Sequence, residues 1–342
     1  MHMADALLSP AVAGAMYACS AVAAGVSIKK LDFEKEEKTI PVMGVMGAFV
    51  FAAQMINFTI PGTGSSGHLC GGMLLSAIVG PYAGFLTMIG VLLIQCLLFA
   101  DGGLLALGAN VWNMAFYGCF IGGGLLWHLF TRKGLSKGRI TAASIVGCVL
   151  TLQMGAFSVS LETLASGITA LPFKAFLLAM QPIHLAIGLV EGLITAAVLV
   201  FIYQARPELL QHSGSLEPSA RKEMPLRKLL LIFVVLALAV AGIASLFASA
   251  LPDGLEWSIA RLTGDTELAG SAAGIYQIAA WIQEKLARFP DYNFANQESS
   301  AGTSVSGIVG AAVVMLAVFL AGKGIKQVQA KNKHEQTEQR HS

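Results

Sequence analysis

Met1-His2-Met3-Ala4-Asp5 leads straight into an apolar run at residues 6–28, rich in Ala and Ser, which stops at Lys29-Lys30. The order of charge and apolar residues decides how the chain is read. A cleaved secretory signal carries its positive charge ahead of the apolar run. Here no Lys or Arg precedes the run and two Lys follow it. The stretch is therefore expected to be a retained first membrane span, with its Lys end in the cytoplasm and the amino terminus outside. The large His2 side chain also disfavours removal of the initiator methionine, so the terminal amine is expected to stay beside His2.

Composition extends this reading to the whole chain. Of 342 residues, 55% are hydrophobic and 12% charged, and the mean hydropathy is +0.69. Soluble domains carry about 25% charge. The fold class expected is an all-α polytopic membrane protein. Nine apolar segments stand out, at 6–28, 40–58, 68–80, 82–99, 106–130, 140–161, 174–203, 229–251 and 304–322. The third is short and stops at Gly80-Pro81, where a helix should break. With the amino terminus outside, the cytoplasmic pieces 29–39, 131–139, 204–228 and the tail from 323 hold 18 of the 22 Lys and Arg. That asymmetry is the one membrane insertion imposes. The carboxy terminus is then cytoplasmic, and the setting expected is a bacterial inner membrane.

Several function classes fall away. A net charge of +2 and the lack of any basic cluster with interleaved aromatics give no nucleic-acid partner. No G-x-x-x-x-G-K-[ST] is present, so ATP is not expected to bind through a Walker A loop, and no H-E-x-x-H points to a zinc protease. Cys19, Cys70, Cys96, Cys119 and Cys148 are dispersed and odd in number, which reads as packing rather than a disulfide frame. No nucleophile motif marks an enzyme.

The chain start carries chemistry of another kind. A free amine followed by His offers three nitrogens: the amine, the His2 amide and the imidazole. Amine and amide close a five-membered chelate ring; amide and Nδ1 close a six-membered one. The set is nearly planar with one in-plane position open, which suits Ni(II) or Cu(II). The competing reading is a frayed tail. His68 follows the loop Thr59-Ile60-Pro61-Gly62-Thr63-Gly64-Ser65-Ser66-Gly67, which lies two spans on and so on the same outer side. His68 can fill the fourth position, with Ser65 and Ser66 bonding the ligands or capping the next helix; otherwise it is an interfacial His at a helix start.

Polar residues at membrane depth need partners. Asn110 and Asn113 share a helix face, as a polar lining beneath the outer site or as interhelical glue. His184 and Glu191 are two turns apart, about 10 Å, and face one side. They serve an ion path, couple the protein to a partner, or are satisfied by neighbouring helices. Residues 206–225 read as a cytoplasmic linker. Beyond it lies a second module with an outer segment, 252–303, which opens Pro252-Asp253-Gly254-Leu255-Glu256; Asp253 and Glu256 form a helix-start signature. An amphipathic stretch follows at 272–289, with Ile275, Ile278, Trp281, Ile282 and Leu286 on one side. The polar tail, 326–342, is expected to be disordered.

Met1-His2, the Gly62-to-His68 loop, Asp101-Gly102-Gly103 with Asn110 and Asn113, and His184 with Glu191-Gly192-Leu193-Ile194-Thr195 together resemble the CbiM/NikM family. These are the substrate-capture components of energy-coupling-factor cobalt and nickel importers. The likeness covers 1–205. Pro252-Asp253-Gly254-Leu255-Glu256 looks like the signature of the two-span accessory component, here fused at 226–325. The resemblance implies a seven-helix capture module plus a two-helix accessory module, with Ni(II) or Co(II) as cargo and no cofactor. It implies Met1, His2 and His68 as ligands, and a separate transmembrane coupling protein with cytoplasmic ATPases as partners. After His2 the family runs Ile-Pro-Asp-Gly. This chain has Met3-Ala4-Asp5-Ala6, keeping Asp5 but neither Pro nor Gly. A stand-alone secondary permease or exporter is the alternative, and it lacks the internal repeat such folds carry.

Overall fold

The computed structural model describes residues 1–33, 38–210, 224–271, 274–294 and 299–341, without the side chains of 332–341. Helices dominate. They are α1 (Pro10–Lys30), α2 (Thr39–Gln54), α3 (Gly72–Val79), α4 (Pro81–Phe99), α5 (Leu107–Thr131), α6 (Lys137–Ser166), α7 (Phe173–Ala205), α8 (Leu226–Gly242), α9 (Gly254–Thr263), α10 (Ile275–Leu286) and α11 (Ser300–His341). Strands β1 (Phe58–Ile60) and β2 (Ser65–Gly67) form a small antiparallel hairpin that pairs Phe58 with Gly67.

Among the described residues, six helices are long and apolar enough to cross a membrane: α1, α4, α5, α6, α7 and the 300–331 part of α11. The chain is a multi-pass membrane protein. The expected seven-plus-two division is met only in part. Segment 68–80 yields just the eight residues of α3, about 12 Å of helix against a core of about 30 Å. Two causes shorten it. Gly80-Pro81 stops it as expected, and residues 68–71 are drawn off the helix by the Glu191 carboxylate, which accepts from Cys70 N and Gly71 N at 3.0 Å each. Helix α2 has 16 residues and α8 has 17.

Local chemistry sets the boundaries. Ser9 caps α1 ahead of Pro10, and Ser136 caps α6. Asp253 and Glu256 close a complete capping box on α9, as the helix-start signature anticipates. Helix α2 is buried over most of its circumference, which is what a helix apolar all round requires. It packs against α4, α8 and α11, so both spans of the second region lean on the first region. The tightest crossing joins α6 to α7. A Cβ at Gly188 would stand 2.9 Å from Val149 Cα, and one at Gly192 would stand 2.6 Å from Ile145 Cα. The small-xxx-small spacing lets the two backbones touch.

Helix α11 runs on through the tail from 326 to His341; after Gly324 the sequence holds no Gly or Pro and is rich in Lys, Gln and Glu, which propagate a helix. Most of the expected linker, 211–223, lies outside the described residues. The expected amphipathic stretch is α10, and it leaves Ile275, Ile278, Trp281 and Leu286 exposed.

Candidate metal centre

The first nine residues are threaded into the protein rather than frayed. Met1, Met3, Leu7 and Leu8 are all buried. Asn110 grips the Met3 backbone at both ends: its Oδ1 accepts from Met3 N at 2.7 Å and its Nδ2 donates to Met3 O at 3.1 Å. Gly103 N donates to the same carbonyl. Asp5 Oδ1 accepts from Ala106 N. Gly103 must lack a side chain, because a Cβ there would fall 1.9 Å from Asp5 Oδ1. The Asp101-Gly102-Gly103 turn is thus the floor over which the chain start runs.

Threading brings Met1, His2 and His68 together. The Met1 amine lies 2.7 Å from His68 Nε2, and the His2 and His68 rings stack with centroids 5.2 Å apart. His68 Nδ1 lies 3.0 Å from the Leu69 carbonyl. A carbonyl only accepts, so Nδ1 carries the proton and the Nε2 lone pair faces the amine. His2 Nδ1 is 3.1 Å from Asp101 Oδ1, and His2 Nε2 is 3.3 Å from Gln95 Oε1.

A carboxylate from the second region closes the set. Asp253 Oδ2 accepts from the Met1 amine at 2.5 Å and lies 3.8 Å from His68 Nε2. Burial is the largest single influence and would depress the amine, but the charge and hydrogen bond of Asp253, with Cys70 and Asp101 adding, together hold it above its ordinary range. Burial likewise raises the Asp253 carboxyl, and the amine and His68 together pull it well below the usual carboxylate range. Burial pushes the His2 imidazole down to about 4, with Asp101 opposing and the amine adding, so His2 is neutral at physiological pH and its ring is fit to bind a metal.

Asp253 reaches the site through Ser65 and Ser66. Their hydroxyls do not turn to Met1, His2 or His68, nor cap a helix. Ser66 Oγ donates to Leu251 O and Ser65 Oγ to Pro252 O, while Ser66 N donates to Pro252 O. A second contribution comes from Tyr292, whose hydroxyl donates to Asp101 Oδ2 at 2.5 Å, on the carboxylate that holds His2. A cavity of about 550 Å³ opens here, lined by His2, Asp5, His68, Asp101, Asp253 and Tyr292 among others.

The remaining expected residues sit one layer deeper. Asn113 Nδ2 donates to Glu162 Oε2 and lies 3.6 Å from Met3 Sδ. Glu191 braces the 68–71 turn. His184 lines a small chamber beside Met1, His68 and Asp253. Asp253, Asp101, Gln95, Tyr292 and Glu162 are site or neighbouring residues that sequence reasoning did not single out as such. For Asp101 and Asp253 the sequence signal was an acid beside a Gly-rich turn or at a helix start; Gln95 and Glu162 lie within apolar helices. Among the described residues, no three His, Cys, Asp or Glu side chains form a group able to hold a metal by themselves. A site here must therefore draw on main-chain nitrogens.

Asp253→Asn is expected to destabilise the protein by about 1–2 kcal/mol. A fixed buried charge stripped of its partner would cost about 3–5 kcal/mol. An amine with an ordinary value of 8.0 instead sheds its proton near neutral pH for about 1.4 kcal/mol per unit. Thermal melting in detergent checks this, and an unchanged midpoint would show that the bridge contributes nothing.

Residues 2–209 match the family model CbiM, cobalt uptake substrate-specific transmembrane region, and residues 227–327 match the PDGLE domain. The chain is 36% identical over 320 residues to a putative fused nickel transport protein NikMN of Archaeoglobus fulgidus, covering 93% of this chain and 97% of that one. It is 31% identical to a probable fused nickel transport protein LarMN of Lactiplantibacillus plantarum, covering 93% and 96%. With the cobalt transport protein CbiM of Geobacter sulfurreducens it shares 30% identity over 71% of this chain and 72% of that one. The crystal structure of a truncated transition metal transporter superimposes with a TM-score of 0.53 at 31% identity, over 60% of this chain and 99% of that chain.

Proposed function

This chain belongs to the CbiM family of cobalt-uptake substrate-specific transmembrane proteins, and from that premise we propose that it captures Ni(II) or Co(II) for an ATP-driven energy-coupling-factor importer. The ion is held by the Met1 amine, the amide and Nδ1 of His2, and Nε2 of His68. One observation carries the proposal: the amine and His68 Nε2 are buried 2.7 Å apart. Metal–nitrogen bonds run to about 2.0 Å, so neighbouring corners of a square of donors stand about 2.8 Å apart. These two nitrogens already have that spacing.

Loading asks for three local changes. The amine gives up its proton and its bridge to Asp253, and the His2 amide nitrogen gives up its proton to solvent as the metal takes its place. The His2 ring makes a half-turn about Cβ–Cγ, which exchanges Nδ1 with Cδ2 and brings Nδ1 from Asp101 to the metal. Asp101 then lies beside the ring edge, and Asn110 keeps the Met3 backbone, and with it the His2 amide, in place. The cavity lined by Asp5, Asp101 and Asp253 is the entry for a hydrated cation, and its wall is shared by both regions of the chain.

Four nitrogens in a plane favour nickel over cobalt, and the fused relatives carry nickel in their names. Raw affinity would favour Cu(II) over both, so selection rests on geometry and metal supply. The Met1 end faces outward and the basic end faces the cytoplasm. A separate transmembrane coupling protein and cytoplasmic ATPases supply the ATP hydrolysis that this chain has no Walker A loop for. Metal analysis of purified protein after equilibration with equal Ni(II) and Co(II) tests the assignment. Stoichiometric nickel is expected, and a metal-free protein would sink it.

A further inference from the structure

Helix α10 is tied to the rest of the protein along one face. Tyr276, Ala280 and Gln283 line the cavity beside the chain start. Gln283 Nε2 donates to the carbonyls of Cys96 and Gly102, and its Oε1 accepts from Leu104 N. The Tyr276 hydroxyl donates to Leu8 O at 2.7 Å. At about 100° per residue, Ile275, Ile278, Trp281, Ile282 and Leu286 form a separate stripe. Ile278 is 59% exposed on it and Trp281 54%. An apolar patch left open in this way marks a surface that something covers.

The depth of the helix names what covers it. Cys96 lies one turn inside the end of α4, a span that stops at Phe99, and Gln283 bonds its carbonyl at 3.1 Å. Just past α10, Phe289 N donates to Leu98 O at 3.1 Å. Leu93, one turn deeper on α4, is an exposed apolar side chain. Near the other end of α10, Tyr276 reaches Leu8, just ahead of the start of α1 at Pro10. The helix thus joins the Met1-side ends of two spans and lies along the membrane boundary rather than above it. Its stripe continues the apolar sides that those spans present to lipid.

The residue types fit that level. Trp gathers where headgroups meet acyl chains, and Lys lays its stem on apolar surface while its ammonium stays in water. Lys285 Nζ lies 4.2 Å from the Trp281 ring centre. We propose that α10 is seated in the bilayer, with its Ile275, Ile278, Trp281 and Leu286 face sunk into the leaflet on the Met1 side. Its partner is lipid, and the seat does not depend on which ion the cavity admits.

The full chain in lipid nanodiscs tests this. Cys19 is the one exposed cysteine, so Cys19→Ser with Ile278→Cys places a nitroxide on the stripe. Oxygen concentrates in lipid and chromium oxalate in water. Collisions with oxygen are expected to exceed those with chromium oxalate, at a depth of about 5–10 Å. A label struck more by chromium oxalate stands in water, and one reached by neither is covered by protein, a second copy included; each result overturns the seat. Trp281 gives a check with no added cysteine. The emission lost in Trp281→Phe is expected to be quenched by lipid brominated near the headgroup. Quenching by aqueous iodide in its place overturns the proposal.

Discussion

Two residues added ahead of Met1 are expected to abolish Ni(II) binding while leaving the protein inserted and folded. The added peptide bond turns the amine, a metal donor once deprotonated, into an amide. It also removes the positive charge that Asp253 meets at 2.5 Å. The amine is enclosed by His68 and Asp253, so the extra residues cannot leave without displacing one of them. Four-donor metal sites bind with roughly 10–16 kcal/mol in total. One donor is then worth about 2.5–4 kcal/mol, or about 10²–10³-fold in affinity. Extension loses the amine and also shifts the His2 amide, so the combined loss exceeds that of one donor. His2→Ala, which loses only the ring, is expected to fall within the single-donor range. Calorimetric titration with Ni(II) of extended, His2→Ala and unmodified proteins checks both. If the extended protein binds as tightly as the unmodified one, the chain-start chelate is wrong.

Glu191→Ala is expected to be the most damaging single change to the framework of the site. Glu191 receives the backbone N–H groups of Cys70 and Gly71, both buried. Each buried N–H left unpaired costs about 1–3 kcal/mol, so the loss should reach about 2–6 kcal/mol. The damage also reaches binding. His68 stands two residues before Cys70, and the turn between them is what keeps its Nε2 beside the amine. Glu191→Gln keeps one acceptor oxygen and should cost about half as much. Melting temperature and Ni(II) affinity are expected to fall together in the order unmodified, Gln, Ala. An unchanged melting temperature in Glu191→Ala would remove the bracing role.

How much of this could be read from the chain follows from the range of the forces involved. Hydropathy is a local sum, so segments such as 82–99, 140–161 and 174–203 emerge within a few residues of α4, α6 and α7. Capping is local as well, which is why Asp253 and Glu256 announce the start of α9. The short α3 could not be read that way, because a carboxylate about 120 residues further on competes for the backbone of residues 70 and 71. Met1, His2 and His68 could be picked out as candidate metal ligands expected on one side of the membrane. Their neighbours could not: Asp253 lies 252 residues from Met1, and Tyr292 reaches Asp101 across 191. Ser65 and Ser66 were read for their chemistry, but what they bond to is set by the packing of the second region.

The bridge between Asp253 and Met1 joins two parts of one polypeptide, and that changes what its strength must be. Were the second region a free subunit, each separation would begin a bimolecular search. Tethered in one chain, it returns at an effective concentration on the order of millimolar. A bond that strengthens docking by only a small amount can then open and close again without the two halves parting. The fusion lets a weak latch work as a reusable one.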